Sequence, residues 1–199
     1  MKVLAINGSA RKNGNTAILI QQVLDVLQEE EFETEMIQLS EHKIEPCRTC
    51  WACSGQKNCF HKNDDFYDIF EKMKASDGIL LGSPVYSANI SSAMQALLER
   101  SAVAADMNPG LLSHKAGAAV AAVRRGGGLQ AVDAMNHFFL NHEMILPGST
   151  YWNIAYGQMP GDVNADSEGL ANMKNLGQNM AFLSHNHHFK WWFGLALIR

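Results

Sequence analysis

Short, wholly apolar runs separated by amphipathic stretches constrain this chain more than any other feature. Residues 116–123 read Ala-Gly-Ala-Ala-Val-Ala-Ala-Val, with no polar side chain to face water. A strand of that kind must be covered on both faces, and its small side chains let the covering layers come close. Residues 3–7 and 78–82 are runs of the same character, the first ended by Gly8. Between the runs, residues 15–30 place Ile20, Val23, Leu24 and Leu27 on one helical face. The helix opened by Ser91 and Ser92 does the same with Met94, Leu97, Leu98 and Ser101.

In order, the chain predicts a strand at 3–7, a helix at 15–30, a strand at 34–39 and a cysteine-bearing loop. A helix then runs to about Lys74, with Asp64 and Asp65 as carboxylates suited to its N-terminus. A strand at 78–82, a loop at 84–89 and the helix from Ser91 follow. Strand 116–123, a helix at 129–141, a fifth strand near 144–146 and a last helix at 163–184 complete the pattern. Strands alternating with helices give an α/β fold with a doubly wound five-stranded parallel sheet. Five strands suit the flavodoxin-like order 2-1-3-4-5, in which ligands collect at the carboxyl edge where strands 1 and 3 part. The length of 199 residues suits a single domain over 1–199.

Three loops on that edge carry unusual chemistry. After strand 1, residues 8–16 offer backbone N–H groups, the Ser9 and Thr16 hydroxyls and the Arg11 charge beside a helix N-terminus, a setting for a phosphate dianion. The loop lacks G-x-G-x-x-G, and Asn15 stands where a Walker loop would need lysine. The bland alternative is a polar turn and a helix cap. After strand 3, Pro84, Val85, Tyr86 and Ser87 supply a rigid, aromatic edge for a flat heterocycle. After strand 4, Arg124 and Arg125 precede Gly126, Gly127 and Gly128, which let backbone approach a ligand closely. Each of these is an ordinary turn by itself; the three together point to FMN.

All four cysteines fall within residues 47–59 as C-x2-C-x2-C-x5-C: Cys47, Cys50, Cys53 and Cys59. Structural zinc sites usually pair two C-x2-C knuckles across a longer insert. Three cysteines in successive x2 steps with a fourth nearby look instead like the ligand run of a [4Fe–4S] cluster. Zinc and four reduced thiols stay open as alternatives. Trp51 lies inside this loop, where it would shield a cluster or simply pack.

The formal charge of −4 makes no electrostatic case for nucleic acid or an anionic membrane. The first apolar run is too short for a signal peptide, and no segment has membrane-spanning length. The expected location is cytoplasmic, where thiols stay reduced and clustered cysteines favour metal over disulfides. The sequence His185-Asn186-His187-His188 reads as a solvated turn rather than a metal site, for want of supporting ligands. Trp191, Trp192, Phe193, Leu195, Leu197 and Ile198 are too apolar to hang in water and predict packing on the sheet or on a second subunit.

The pattern G-S-x-R-x-x-G-N-T after strand 1, with S-P-V-Y after strand 3, resembles the NAD(P)H-dependent FMN reductase superfamily of flavodoxin-like proteins. With the compact cysteine loop it is similar to the iron–sulfur flavoproteins of anaerobic archaea and bacteria. That resemblance covers about residues 1–160. It implies FMN held by Ser9, Arg11, Asn13, Asn15 and Thr16. Ring contacts would come from Pro84, Val85, Tyr86 and Ser87, and from Arg125 and the glycines at 126–128. It further implies a [4Fe–4S] cluster on Cys47, Cys50, Cys53 and Cys59, within a cluster loop at about 44–63. Subunits would form a homodimer or homotetramer, each cluster near a neighbour's FMN. The expected activity is electron transfer between a one-electron donor such as ferredoxin and a small acceptor. An NAD(P)H-dependent FMN or quinone reductase without a cluster is the alternative enzyme, and a zinc-stabilised FMN sensor the alternative of another class. The cofactors carry the electrons, so no side chain is assigned as an acid or base.

Overall fold

The computed structural model describes residues 1–186. Strands β1 (Lys2–Asn7), β2 (Glu33–Gln38), β3 (Gly78–Pro84), β4 (Ala116–Val123) and β5 (Ile154–Tyr156) make one all-parallel sheet in the order β2-β1-β3-β4-β5. The helices are α1 (Asn15–Glu29), α2 (Phe66–Ala75), α3 (Ser92–Asp106), α4 (Gly128–Asn141) and α5 (Ser167–Asn186).

Alternate residues of each strand point to opposite faces, so the sheet sorts its own side chains into two cores. Leu4, Ile6, Ile79, Leu81, Ala119 and Ala121 pack with α2, α3 and α4. Val3, Ala5, Leu80, Ala118 and Val120 pack with α1 and α5. The apolar α1 positions Ile20, Val23, Leu24 and Leu27 are all buried, as their spacing requires. Every residue of β4 is buried. Its small side chains admit close packing: a Cβ at Gly117 would lie 2.7 Å from the Phe139 ring. Ser91 caps α3 by accepting the Met94 N–H at 3.2 Å.

Three expectations are corrected. Residues 144–146 do not form the fifth strand. They touch β4 at a single bridge, Ala116 to Ile145, before Pro147 and Gly148 turn the chain away. The strand that extends the sheet is Ile154–Tyr156, paired with residues 121–123. The last helix does not begin at 163 either. A 3-10 turn, Asp162–Ala165, comes first, and the Asp166 carboxylate accepts the Gly169 N–H at 2.9 Å where α5 starts. Asp65, at the N-terminus of α2, makes no side-chain cap; its carboxylate accepts the Lys43 N–H at 2.8 Å and ties down the preceding loop. The expectations for His187, His188 and the aromatic tail from Trp191 to Ile198 lie outside the described residues. Among the described residues no helix is long and apolar enough to cross a membrane.

Candidate flavin cradle and cysteine cleft

The loop after β1 is clamped from below. Asn7 Oδ1 accepts the Ser9 N–H at 3.0 Å, and Asn7 Nδ2 donates to Gln38 Oε1 at 2.7 Å. Gln38 Nε2 in turn donates to the Ser9 carbonyl, so β2 fixes the path of the loop. Ser9 Oγ accepts the Arg11 N–H at 3.1 Å, and the Gly14 N–H returns to the Arg11 carbonyl at 3.2 Å. This turn delivers the chain to the first turn of α1, whose amides carry the positive end of the helix dipole. Thr16 there is 1% exposed, and its Oγ1 has no hydrogen-bond partner. An orphaned hydroxyl in such a place costs free energy unless something accepts or donates there. Beside helix amides and the exposed Arg11, it fits a phosphate oxygen.

Arg11 and Asn13 are exposed at the rim, whereas Asn15 is committed to the protein. Asn15 Oδ1 accepts the Gly161 N–H at 2.8 Å, and the Arg11 guanidinium reaches the Gln158 carbonyl at 3.5 Å. The segment after β5 is thereby drawn up to the same edge, a contribution that no motif announces.

The loop after β3 reverses tightly. Tyr86 and Asn89 exchange two backbone hydrogen bonds of 2.9 and 3.0 Å, and the two residues between them, Ser87 and Ala88, have φ of 51° and 59°. Two consecutive left-handed residues are what a type I′ turn demands, and neither residue here is glycine, asparagine or aspartate. The turn therefore holds strain. Gly127 packs against it from the loop after β4. It has φ 84°, and a Cβ there would fall 2.7 Å from Ala88 Cα. Tyr86 stands half exposed above the pair. Ala88→Gly should stabilise the flavin-free protein by about 1 kcal/mol; an unchanged or lower thermal midpoint would show that the turn is relaxed.

The cysteines lie on the α2, α3 side, held against the second half of α3. Cys47, Cys50, Cys53 and Cys59 line one cleft, with Trp51 and Phe60 exposed at its mouth and Val103 and Ala104 as its floor. Thr49 and Trp51, on either side of Cys50, have φ of 46° and 57°, left-handed values that bend the loop sharply there. The Thr49 N–H approaches Cys47 Sγ at 3.4 Å, and His61 Nε2 lies 3.5 Å from Cys50 Sγ. Glu99 accepts the Cys47 N–H at 3.2 Å, and Asn108 Nδ2 donates to the Cys53 carbonyl at 2.9 Å. All four thiols are free. Among the described residues, no three His, Cys, Asp or Glu side chains converge on one metal ion. All four cysteines nonetheless line the same cleft, and four thiolates are the kind of donor set an iron–sulfur centre takes. Burial pushes the Cys53 thiol up, and the nearby Cys59, Cys47 and Cys50 add to that, so a metal entering here must displace a firmly held proton.

At the back of the cleft is a group that spacing did not predict. Arg100 is 4% exposed; its Nε donates to Cys59 Sγ at 3.2 Å, Nη1 to Asp64 Oδ2 at 2.5 Å and Nη2 to the His61 carbonyl at 2.8 Å. The guanidinium carbon lies 4.3 Å from the Phe66 ring centre. Burial works against its charge, yet Asp64 and Cys59 hold its pKa above the ordinary value. Burial likewise opposes ionisation of Asp64, but the Glu45 N–H and Arg100 keep its carboxyl below the usual range. The available signal was an arginine in phase with Leu97 and Ala104 on the buried face of α3.

The NADPH-dependent FMN reductase family model matches residues 1–158. The chain belongs to that family. Its members are flavin-dependent oxidoreductases, and the candidate flavin cradle described above falls within the matched residues apart from Gly161. An "Iron-sulfur flavoprotein" of Methanocaldococcus jannaschii is 39% identical over 189 residues, covering 91% of this chain and 96% of the relative. One from Methanosarcina thermophila is 37% identical over 150 residues, 74% of this chain and 78% of the relative. Among solved structures, RosB bound to 8-demethyl-8-formylriboflavin-5'-phosphate superposes with a TM-score of 0.77 at 17% identity, over 96% of this chain and 81% of that one. An archaeal flavodoxin gives 0.61 at 14% identity, over 93% and 99%. These two likenesses establish for this FMN reductase family member the flavodoxin-like fold.

Proposed function

We propose that this flavin-dependent oxidoreductase is an electron-transfer flavoprotein holding one FMN and one [4Fe–4S] cluster per subunit. The observation that carries the reading is the placing of four free thiols around one cleft, on the helix whose other end supports the flavin cradle. A Cβ at Gly8 in the β1 loop would lie 3.0 Å from Ser91 Oγ, and Ser91 is the cap of α3. The relatives named for iron and sulfur support the same assignment.

When bound, FMN exchanges two electrons and the cluster one, so the pair joins two-electron to one-electron chemistry. The chain supplies the holding groups. Ser9, Arg11, Asn13, Thr16 and the first amides of α1 receive the phosphate, while Asn15 braces the loop after β5. Pro84, Val85, Tyr86, Ser87, Arg125 and the glycines 126–128 border the ring. Cys47, Cys50, Cys53 and Cys59 give four thiolates to the cluster, in a loop spanning about 44–63 of a single domain. Ferredoxin is the matching one-electron donor, and a quinone or oxygen species a matching acceptor. A homodimer or homotetramer in the cytoplasm completes the assignment.

The family's NADPH dependence favours a second reading, a nicotinamide-driven FMN or quinone reductase with empty thiols. Anaerobic purification and reconstitution with iron and sulfide separate the two. Four irons per subunit and a visible spectrum in which flavin and cluster bleach separately on reduction by ferredoxin are expected. Fewer than four irons, with full reduction by NADPH alone, would leave the reductase.

A further inference from the structure

Of the buried charges in the described residues, Arg100 is the one whose hydrogen bonds meet the cysteine loop from within. The guanidinium spends its donors at both ends of that loop. Nη1 approaches the Glu45 carbonyl at 3.4 Å, two residues before Cys47, while Nη2 holds the His61 carbonyl, two residues after Cys59. One planar group therefore closes the excursion that carries all four thiols. A role in closing the loop would account for Nη1 and Nη2. It would not account for Nε, which points at Cys59 Sγ from 3.2 Å. Nor would it account for a pair in which the side chains of Arg100 and Asp64 are 5% and 0% exposed. Burying two charges is costly, and an apolar substitute of equal shape often serves the fold as well.

We propose that Arg100 is a positioning and potential-setting residue for the cysteine-bound centre: it orients Cys59 as a ligand and, by its N–H···S bond and its charge, favours the reduced state. This deepens the cluster reading and rests on it. Hydrogen bonds to ligand sulfurs, net charge and burial are the quantities through which a protein sets an iron–sulfur potential. The added electron is negative charge placed beside a desolvated cation, where little water screens the attraction. Asp64 opposes that effect from the far side of the guanidinium. The two residues should thus act with opposite sign, which neither loop closure nor stability would produce.

The test uses the full chain, reconstituted anaerobically, with iron and sulfide counted before a potentiometric titration of the cluster's visible and EPR signals. Arg100→Gln should retain four irons and be reduced with an equilibrium constant at least tenfold lower, a shift of 59 mV to more negative potential for one electron. Arg100→Lys should restore part of that loss. Asp64→Asn, which keeps an acceptor for Arg100, should move the potential the other way. If Arg100→Gln holds four irons at the wild-type potential, the proposal is overturned while the cluster reading stands. If Arg100→Gln cannot hold iron, Asp64→Asn decides: a higher potential sustains the role and an unchanged or lower one ends it. Wild-type protein that takes up no iron would instead refute the cluster reading.

Discussion

Replacing Cys53 with serine should reduce iron from four to less than one per subunit while leaving the FMN content intact. Cys53 is 6% exposed and is the most enclosed of the four, with its sulfur 3.8 Å from the Val103 carbonyl and its own carbonyl bound by Asn108. A ligand that forms the back wall of the cleft has no neighbour able to replace it. Serine keeps the size of the residue but offers a hard oxygen in place of the soft thiolate that iron–sulfur centres select. The flavin cradle should not register the change. Ser91 to Arg100 spans nine helical positions, about 13 Å of α3, and Cys53 lies beyond that against Val103. Iron and sulfide assays beside flavin absorbance read both numbers from one sample. Retention of four irons in the variant would remove Cys53 from the ligand set.

The second large effect lies in the first turn of α1. Thr16→Val should weaken FMN binding by about 10- to 100-fold, the range expected when one hydrogen bond to a charged group is lost. Valine matches threonine in shape, so the loop should not need to move. The same substitution should stabilise the flavin-free protein by about 1 kcal/mol, because it removes a buried hydroxyl that has no partner. Opposite signs for apo stability and FMN affinity would separate a ligand contact from a packing residue. Flavin fluorescence titration gives the first and thermal unfolding of the apoprotein the second. An unchanged dissociation constant would take the phosphate away from this hydroxyl.

Much of the sheet was legible because period and composition left little choice. Residues 116–123 could only be a strand covered on both sides, and Ser91 marked the start of α3 to the residue. The fifth strand was misplaced because residues 144–146 are apolar and the true strand, Ile154–Tyr156, is three residues long with its neighbours Tyr151 and Trp152 exposed. What distinguishes them is a long-range pairing with residues 121–123, and no local pattern records it. The polar loop after β1 could be singled out from residue types, but the orphaned hydroxyl of Thr16 and the bond from the Gly161 N–H to Asn15 could not. In the cysteine loop the spacing singled out four thiols, and these line one cleft. Two of their supports, Arg100 and Asn108, are distant in sequence and meet the loop only once α3 is laid under it, where Arg100 also finds Asp64.

That helix has an implication for how the two centres communicate. Ser92–Asp106 contains neither proline nor glycine, so α3 acts as a ruler with a fixed number of turns. A helix without such breaks fixes the spacing between its Ser91 end and its Val103 end. On the proposed assignment, any tuning of electron transfer between the two groups would have to arise outside α3, which has no joint to bend.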